Sequence, residues 1–392
     1  MSLKIGIGTN MRIQSAFNWL TYWVTRYPSL LTATAISDVR IDLAWTNNGD
    51  VDYDGVSIER SLDGITYAEI ITIAAGSVAY SNIGLTADTL YYYRIRYYRG
   101  THYSAYSNVD SDTTFYNMLL TSTGTGVGVS TLIMQVAVNM TLTLGANAKF
   151  YTDAAGTLGE SATWAIVSGA DRTIYLKCTT GTATMTFPNP ANVTRWPLWV
   201  SGVNAASIAG NISKLSALTY VEVGGNNTLS GSITALTSLT HVVISGLNTL
   251  SGSIAALTSL TFLRVYGSNT LSGSVTALIS LTVLHVTGFN TLSGDLNPVV
   301  SDLIICTLDP CAMIDYTAGA TWGNTTIMIN PSAGYGYDST EIDNMLIDMA
   351  ASVALISKVI TLQGSSAART AASNAAVLTL EGAGRLNTVV TN

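Results

Sequence analysis

The sequence has 392 residues, of which 48% are apolar but only 10% charged, with a net charge of −7 and a pI near 4.9. So acidic a chain offers no basic footprint for nucleic acid, and no run of about 18 apolar residues is present to span a membrane. Three cysteines, Cys178, Cys306 and Cys311, form neither a disulfide framework nor a four-ligand zinc site.

The chain is long enough for two to four domains at about 100 to 200 residues each. Residues 1–27 stand apart: a glycine-broken polar start, then Phe17, Trp19, Tyr22 and Trp23 within seven positions. This aromatic cluster predicts an anchor buried against a partner, with an N-terminal strand docking on the next domain as the plainer reading. The first residues lack a basic start followed by a sustained apolar run, so no secretory signal is expected.

From 28 to 114 the pattern is of short alternating strands. Val39, Ile41, Leu43 and Trp45 fall on one face at period two. Strands are predicted at Gly55 to Ser61, Tyr67 to Ile73, Leu85 to Arg96 and Ser104 to Asn108. This stretch resembles a fibronectin type III domain. The resemblance puts Trp45 at the core tryptophan of the second strand and makes Leu85 and Tyr91 the tyrosine corner. With no RGD sequence, integrin-type binding is not implied. Asp50, Asp52, Asp54 and Gly55 match the opening of a calcium loop, but the twelfth position is Ser61 instead of Glu, and no helix pattern flanks it. No metal is therefore expected.

Residues 115–198 predict a second, sandwich-like β domain, with strands at Thr131 to Val138, Asn139 to Leu144, Ala148 to Tyr151, Thr163 to Val167, Arg172 to Lys177 and Ala183 to Phe187. The glycines at 124, 126 and 128 precede a strand and open no helix, so they read as a linker or turn, not a phosphate loop.

The most regular stretch follows. Asn-Thr-Leu-Ser-Gly recurs at Asn227, Asn248, Asn269 and Asn290 with a constant period of 21 and no insertion. Such a period marks a solenoid whose units bury their apolar faces only against neighbours. The unit Leu239 to Leu260 resembles a leucine-rich repeat with one extra residue before the asparagine. The four asparagines are predicted to form a structural ladder that satisfies buried backbone groups, and glycines 231, 252, 273 and 294 to sit in tight turns. A degenerate copy at Ala206 to Gly210 reads as the first coil, and 21 residues leave no room for a helix. Beyond about 300 the units lengthen. Strands are expected at Leu303 to Cys306, Thr326 to Ile329, Lys358 to Leu362 and Thr388 to Val390. Two helices are expected between the last three, one capped at Asp338 with Glu341 and one starting at Ser365 or Ser366. Cys306 and Cys311 lie close enough to meet across a turn, and read more simply as small buried apolar residues.

The predicted class is thus mainly β and multidomain: an anchor at 1–27, a fibronectin type III sandwich at 28–114, a β-rich domain at 115–198, and a leucine-rich-repeat solenoid at 199–392 with an α/β cap over 301–392. The positions expected to point outward from the concave face are Tyr220, Glu222, His241, Val243, Phe262, Arg264, Val283 and His285. They differ from coil to coil while the frame is constant, as a recognition surface would. A solvated face with drifting residues produces the same pattern. No catalytic constellation is placed by His102, His241 and His285, and no enzyme activity or cofactor is expected. The combination looks like a phage virion surface protein, a tail fibre or capsid decoration. That reading implies other virion proteins as partners of residues 1–27, a host glycan or protein at the repeats, no nucleic acid, and a homo-oligomer such as a trimer. A bacterial cell-surface adhesin, and a purely architectural virion part, are the alternatives.

Overall fold

A computed structural model describes residues 26–48, 53–122, 130–137, 140–154, 157–169, 172–178, 181–200, 207–225, 227–288, 290–309, 314–330 and 336–392. Phe17, Trp19, Tyr22 and Trp23 lie outside these residues, as do Asp50, Asp52, the glycines at 124, 126 and 128, and Cys311. The protein is mainly β, and the chain divides between Asn117 and Met118 into two compact units.

The first unit is a sandwich of two sheets. Three strands, Ser29–Ser37, Arg40–Thr46 and Ala79–Ile83, form one sheet, and Gly55–Ser61, Ala68–Ala74, Leu90–Arg99, His102–Tyr103 and Asp110–Thr113 form the other. Ile41, Leu43 and Trp45 are buried between them with Val56, Ile58, Tyr91, Tyr93 and Ile95. Val39 does not join that face. It is 44% exposed, because it lies in the turn before the strand. The tyrosine corner forms as expected: the Thr86 N–H donates to Tyr91 Oη at 3.1 Å, and Leu85 and Tyr91 are both buried. Tyr93 is enclosed and receives the Asn82 Nδ2–H at 2.9 Å; burial pushes its phenol up to about 12.

Ser104 to Asn108, expected as a strand, is not one. Ser104 Oγ accepts the N–H of Tyr97 at 2.9 Å and Ser107 Oγ accepts that of Ile95 at 3.1 Å. Hydroxyls thus take bonds that strand carbonyls would accept, and the regular ladder gives way. The chain from Asn108 into the strand Asp110–Thr113 seals the other sheet's edge. Asn108 Oδ1, Asp110 Oδ2 and Asp112 Oδ2, spaced by two, accept the N–H groups of Leu31, Ala33 and Ala35 at 2.9, 2.8 and 2.7 Å. An edge whose N–H groups are occupied cannot template another chain.

The second unit holds two long sheets. The 12-stranded sheet begins with the antiparallel strands Ala148–Tyr151, Arg172–Cys178 and Ser130–Val136. It passes through Val193–Val200 into a parallel stack: Tyr220–Gly225, His241–Ile244, Phe262–Val265, Val283–Thr287, Ile305–Asp309, Thr326–Ile329, Val359–Leu362 and Thr388–Thr391. The 10-stranded sheet does the same, from Thr163–Ile166, Met140–Leu144, Gly181–Phe187 and Tyr116–Ser122 into Ser207–Asn211, Thr228–Ser232, Thr249–Ser253, Thr270–Ser274, Thr291–Asp295 and Ile314–Asp315. Neither sheet is interrupted at residue 198, which lies inside a strand. The parallel part is a β-solenoid of about six turns.

One coil shows why the sequence winds this way. Val242 and Ile244 point inward from the first strand and Leu250 from the second. Ile254, Leu257 and Leu260 then return the chain through two successive three-residue turns, bonded Leu257 N–H to Ile254 O and Leu260 N–H to Leu257 O at 2.9 Å each. All six side chains are 0% exposed. Helix α1 (Ser339–Ala351) starts on the expected capping box: Asp338 Oδ1 accepts the Glu341 N–H at 2.8 Å, and Glu341 Oε2 the Asp338 N–H at 2.9 Å. Helix α2 (Asn374–Glu381) begins well after Ser366. The intervening chain is tied to α1, since Asp343 accepts bonds from the Thr370 N–H at 3.0 Å, the Thr370 hydroxyl and the Ser373 hydroxyl at 2.5 Å. Long-range bonds thereby override the local signal at Ser366.

Candidate ligand-binding face

The asparagine ladder is the frame of the face. Asn248 is wholly buried; its Oδ1 accepts the Leu229 N–H at 2.9 Å and its Nδ2 donates to Ser245 O at 2.6 Å. Asn227, Asn269 and Asn290 repeat this, accepting from Ile208, Leu250 and Leu271 and donating to Gly224, Tyr266 and Thr287. Each amide therefore links its own turn to a strand of the previous coil. An alanine there would strand the buried N–H donor and remove the partner of the carbonyl. Gly252 has φ of +102°, where a Cβ would also strike Ser232 Oγ.

A second ladder, of threonines, escaped sequence reading. The hydroxyls of Thr219, Thr240, Thr261 and Thr282 each donate to the carbonyl one coil back, at 3.0, 3.0, 2.9 and 2.9 Å. Their common period of 21 was visible, but threonine in a β-rich chain signals only strand propensity.

With both ladders fixing register, the outward side chains fall into two rows across the parallel strands. One row runs Arg195, Tyr220, His241, Phe262, Val283; the other runs Glu222, Val243, Arg264, His285. All are half-buried except Val283, which is 7% exposed and so contributes packing instead of an accessible contact. Neighbouring rungs lie about 4.8 Å apart.

That spacing suits flat stacking. The rings of Tyr220 and His241 lie 4.2 Å apart at 4° to each other, and those of His241 and Phe262 lie 4.3 Å apart at 18°. The Arg195 guanidinium covers Tyr220 at 4.3 Å. These rings therefore occupy one another's faces and present mainly edges outward. Tyr220 Oη donates to Glu222 Oε2 at 2.6 Å, and burial followed by that carboxylate raises the phenol's pKa. Tyr266 stands edge-on to His285, with its Oη 3.5 Å from Nδ1.

Arg264 differs from its neighbours. Its guanidinium carbon is 5.4 Å from the centre of the Phe262 ring, yet its Nε is buried and has no hydrogen-bond partner. Among the described residues it makes neither an ion pair nor a hydrogen bond. By contrast, Arg40 pairs with Asp42 at 2.5 Å, and Arg94 and Arg96 pair with Glu59 at 2.7 and 2.9 Å. A buried donor left unpaired costs about 1–3 kcal/mol. Its charge also reaches both histidines. Burial lowers the pKa of His241 and His285, and Arg264 pushes each further down.

Among the described residues, no group of three or more His, Cys, Asp or Glu is placed to hold a metal ion, and no helix is long and apolar enough to cross a membrane. Asp54 accepts the Gly100 N–H at 2.7 Å. Cys306 is fully buried in the solenoid core.

No protein-family model matches the chain, and no curated protein matches it. Solved structures are similar over part of its length. The CNTN1 FN1-FN3 domains of chicken match at 13% identity and a TM-score of 0.21, over 22% of this chain and 31% of theirs. A Fn3-like protein from Clostridium thermocellum matches at 22% identity and a TM-score of 0.20, over 22% of this chain and 91% of that one. A fibronectin type III domain of the human KIAA0970 protein matches at 11% identity and a TM-score of 0.22, over 29% of this chain and 86% of that one. This chain thus spans about a third of the chicken chain that it matches.

Proposed function

We propose that this protein is a non-enzymatic virion surface protein, a fibre or decoration, whose leucine-rich-repeat-like coils hold out a face for a host-cell glycan or protein. In this reading residues 1–27 attach to other virion proteins, through Phe17, Trp19, Tyr22 and Trp23. The sandwich is the spacer, the helical segment closes the coil stack, and the chain works as a homo-oligomer. The observation that supports it most is the contrast between frame and face. Buried asparagines and inward leucines repeat without change, while Glu222, Val243, Arg264 and His285 occupy one register and carry four different chemistries. The rigidity of the stack suits binding, since side chains already fixed lose little freedom on contact. A purely architectural part is the second reading, favoured by the way Tyr220, His241 and Phe262 spend their ring faces on each other. Immunogold electron microscopy of purified particles, with antibody raised against residues 26–117, tests the placement. Gold at fixed sites on the particle is expected; label confined to cell envelopes would instead favour the adhesin.

A further inference from the structure

We infer that Arg264 is the anchor of a carboxylate subsite, and that the ligand of this face is an acidic glycan of the uronic-acid class. The inference rests on the binding role proposed above and gives it a chemistry.

A guanidinium presents a planar fork that matches a carboxylate with two parallel hydrogen bonds. The other charged groups of this face are already engaged: Glu222 accepts the Tyr220 hydroxyl, and Arg195 lies 4.3 Å over the Tyr220 ring, whereas Arg264 stands farther, 5.4 Å, from the Phe262 ring. Arg264 alone of the charged groups in the two rows has neither a hydrogen bond nor an acid contact among the described residues; its Nε is buried, so the outer Nη groups are the ones left to meet a ligand. Its neighbours in register are Val243 on one side and His285 on the other, with Phe262 on the same strand. None of these is an anion. A ligand carboxylate would therefore meet a cation with no internal competitor, beside the Tyr266 hydroxyl and the His285 ring, which offer hydrogen bonds to sugar hydroxyls.

The geometry favours a glycan over an acidic peptide. An extended peptide gains affinity chiefly by adding to a free sheet edge through its backbone. At Arg264 the strand Phe262–Val265 is hydrogen-bonded to a neighbour on both sides, so no backbone groups are free there. Recognition must come from side chains, as a polyhydroxylated ring allows.

The test is binding of the full chain to immobilised polygalacturonate, its methyl-esterified form and poly-L-glutamate, with wild type, Arg264→Gln, Arg264→Lys and the second-sheet control Thr249→Ala. Circular dichroism checks that each variant is folded. Polygalacturonate should be bound in a salt-sensitive way. Methyl esterification and R264Q should each weaken binding about tenfold or more, since a charge-assisted pair is lost. R264K should retain part of it, T249A all of it, and poly-L-glutamate should bind at least about tenfold more weakly. Failure to bind polygalacturonate, equal binding by folded R264Q, or equal capture on poly-L-glutamate would overturn the inference, the last in favour of an acidic peptide. A protein that adsorbs to cells while ignoring polygalacturonate loses only this inference; one that adsorbs to no cell loses the binding reading itself.

Discussion

Replacing Asn248 by alanine removes the two bonds that tie one coil to the previous one. The Leu229 N–H, wholly buried, loses its acceptor, and the half-buried Ser245 O loses its donor. At about 1–3 kcal/mol for the stranded Leu229 N–H and about 0.5–1.5 kcal/mol for the bond lost at Ser245 O, N248A should cost about 1.5–4.5 kcal/mol, a large share of the ~5–15 kcal/mol that separates folded from unfolded chains. Thr240→Val is the matched control from the exposed ladder. Thr219 O would still accept the Thr240 N–H at 2.8 Å, so only about 0.5 kcal/mol is at stake. Urea unfolding followed by circular dichroism reads both variants on the full chain. Asn248→Asp adds a sign. It keeps the acceptor but sets a buried carboxylate oxygen against Ser245 O unless protonated, so its folded pKa must rise. N248D should then be most stable in acid and weaken as pH climbs through that raised value. If N248A falls within about 1 kcal/mol of T240V, the asparagines do not hold the coils and this explanation of the 21-residue period is wrong.

Three further results are expected. Gly252→Ala meets both a φ of +102° and Ser232 Oγ, whereas Gly76→Ala meets a φ of +84° in open space, so thermal melts should show G252A well below G76A; equal melts would mean that the collision relaxes freely. Tyr91→Phe removes the acceptor of the Thr86 N–H and should cost about 1–2 kcal/mol; an unchanged midpoint would remove the tyrosine corner from the account. His241 and His285 have pKa values lowered first by burial, so the unfolded chain takes up protons first as pH falls below about 6.5. The stability due to these neutral rings is present above that pH and is lost on acidification toward the lowered folded values. The double replacement H241F and H285F should flatten this part of the pH profile, and an unaltered slope would assign it to other groups.

The frame of the solenoid was legible because it repeats. Leu250, Ile254, Leu257 and Leu260 announce an inward face, and the asparagines announce a buried turn. Their bond lengths and the partner coil were not readable, since each bond reaches 19 residues back in the chain. The edge seal by Asn108, Asp110 and Asp112 was hidden for the same reason, its partners being 77 residues away. Local signals misled where a distant group competes, as at Ser366, upstream of the chain held by Asp343. On the face, the outward positions followed from period-two alternation. The burial of Val283 and the unpartnered state of Arg264 did not, because both depend on what the neighbouring coils contribute.

The outward rows are most directly tested at Val243, half-buried between Glu222 and Arg264 in register. Adsorption of labelled full-length protein to a panel of bacterial strains should fall about tenfold or more in Val243→Glu, which sets a second carboxylate beside Glu222 and Arg264. Thr249→Glu, exposed on the second sheet, should adsorb as wild type does. Equal adsorption by folded V243E and wild type would contradict the account, because the face would then carry no ligand.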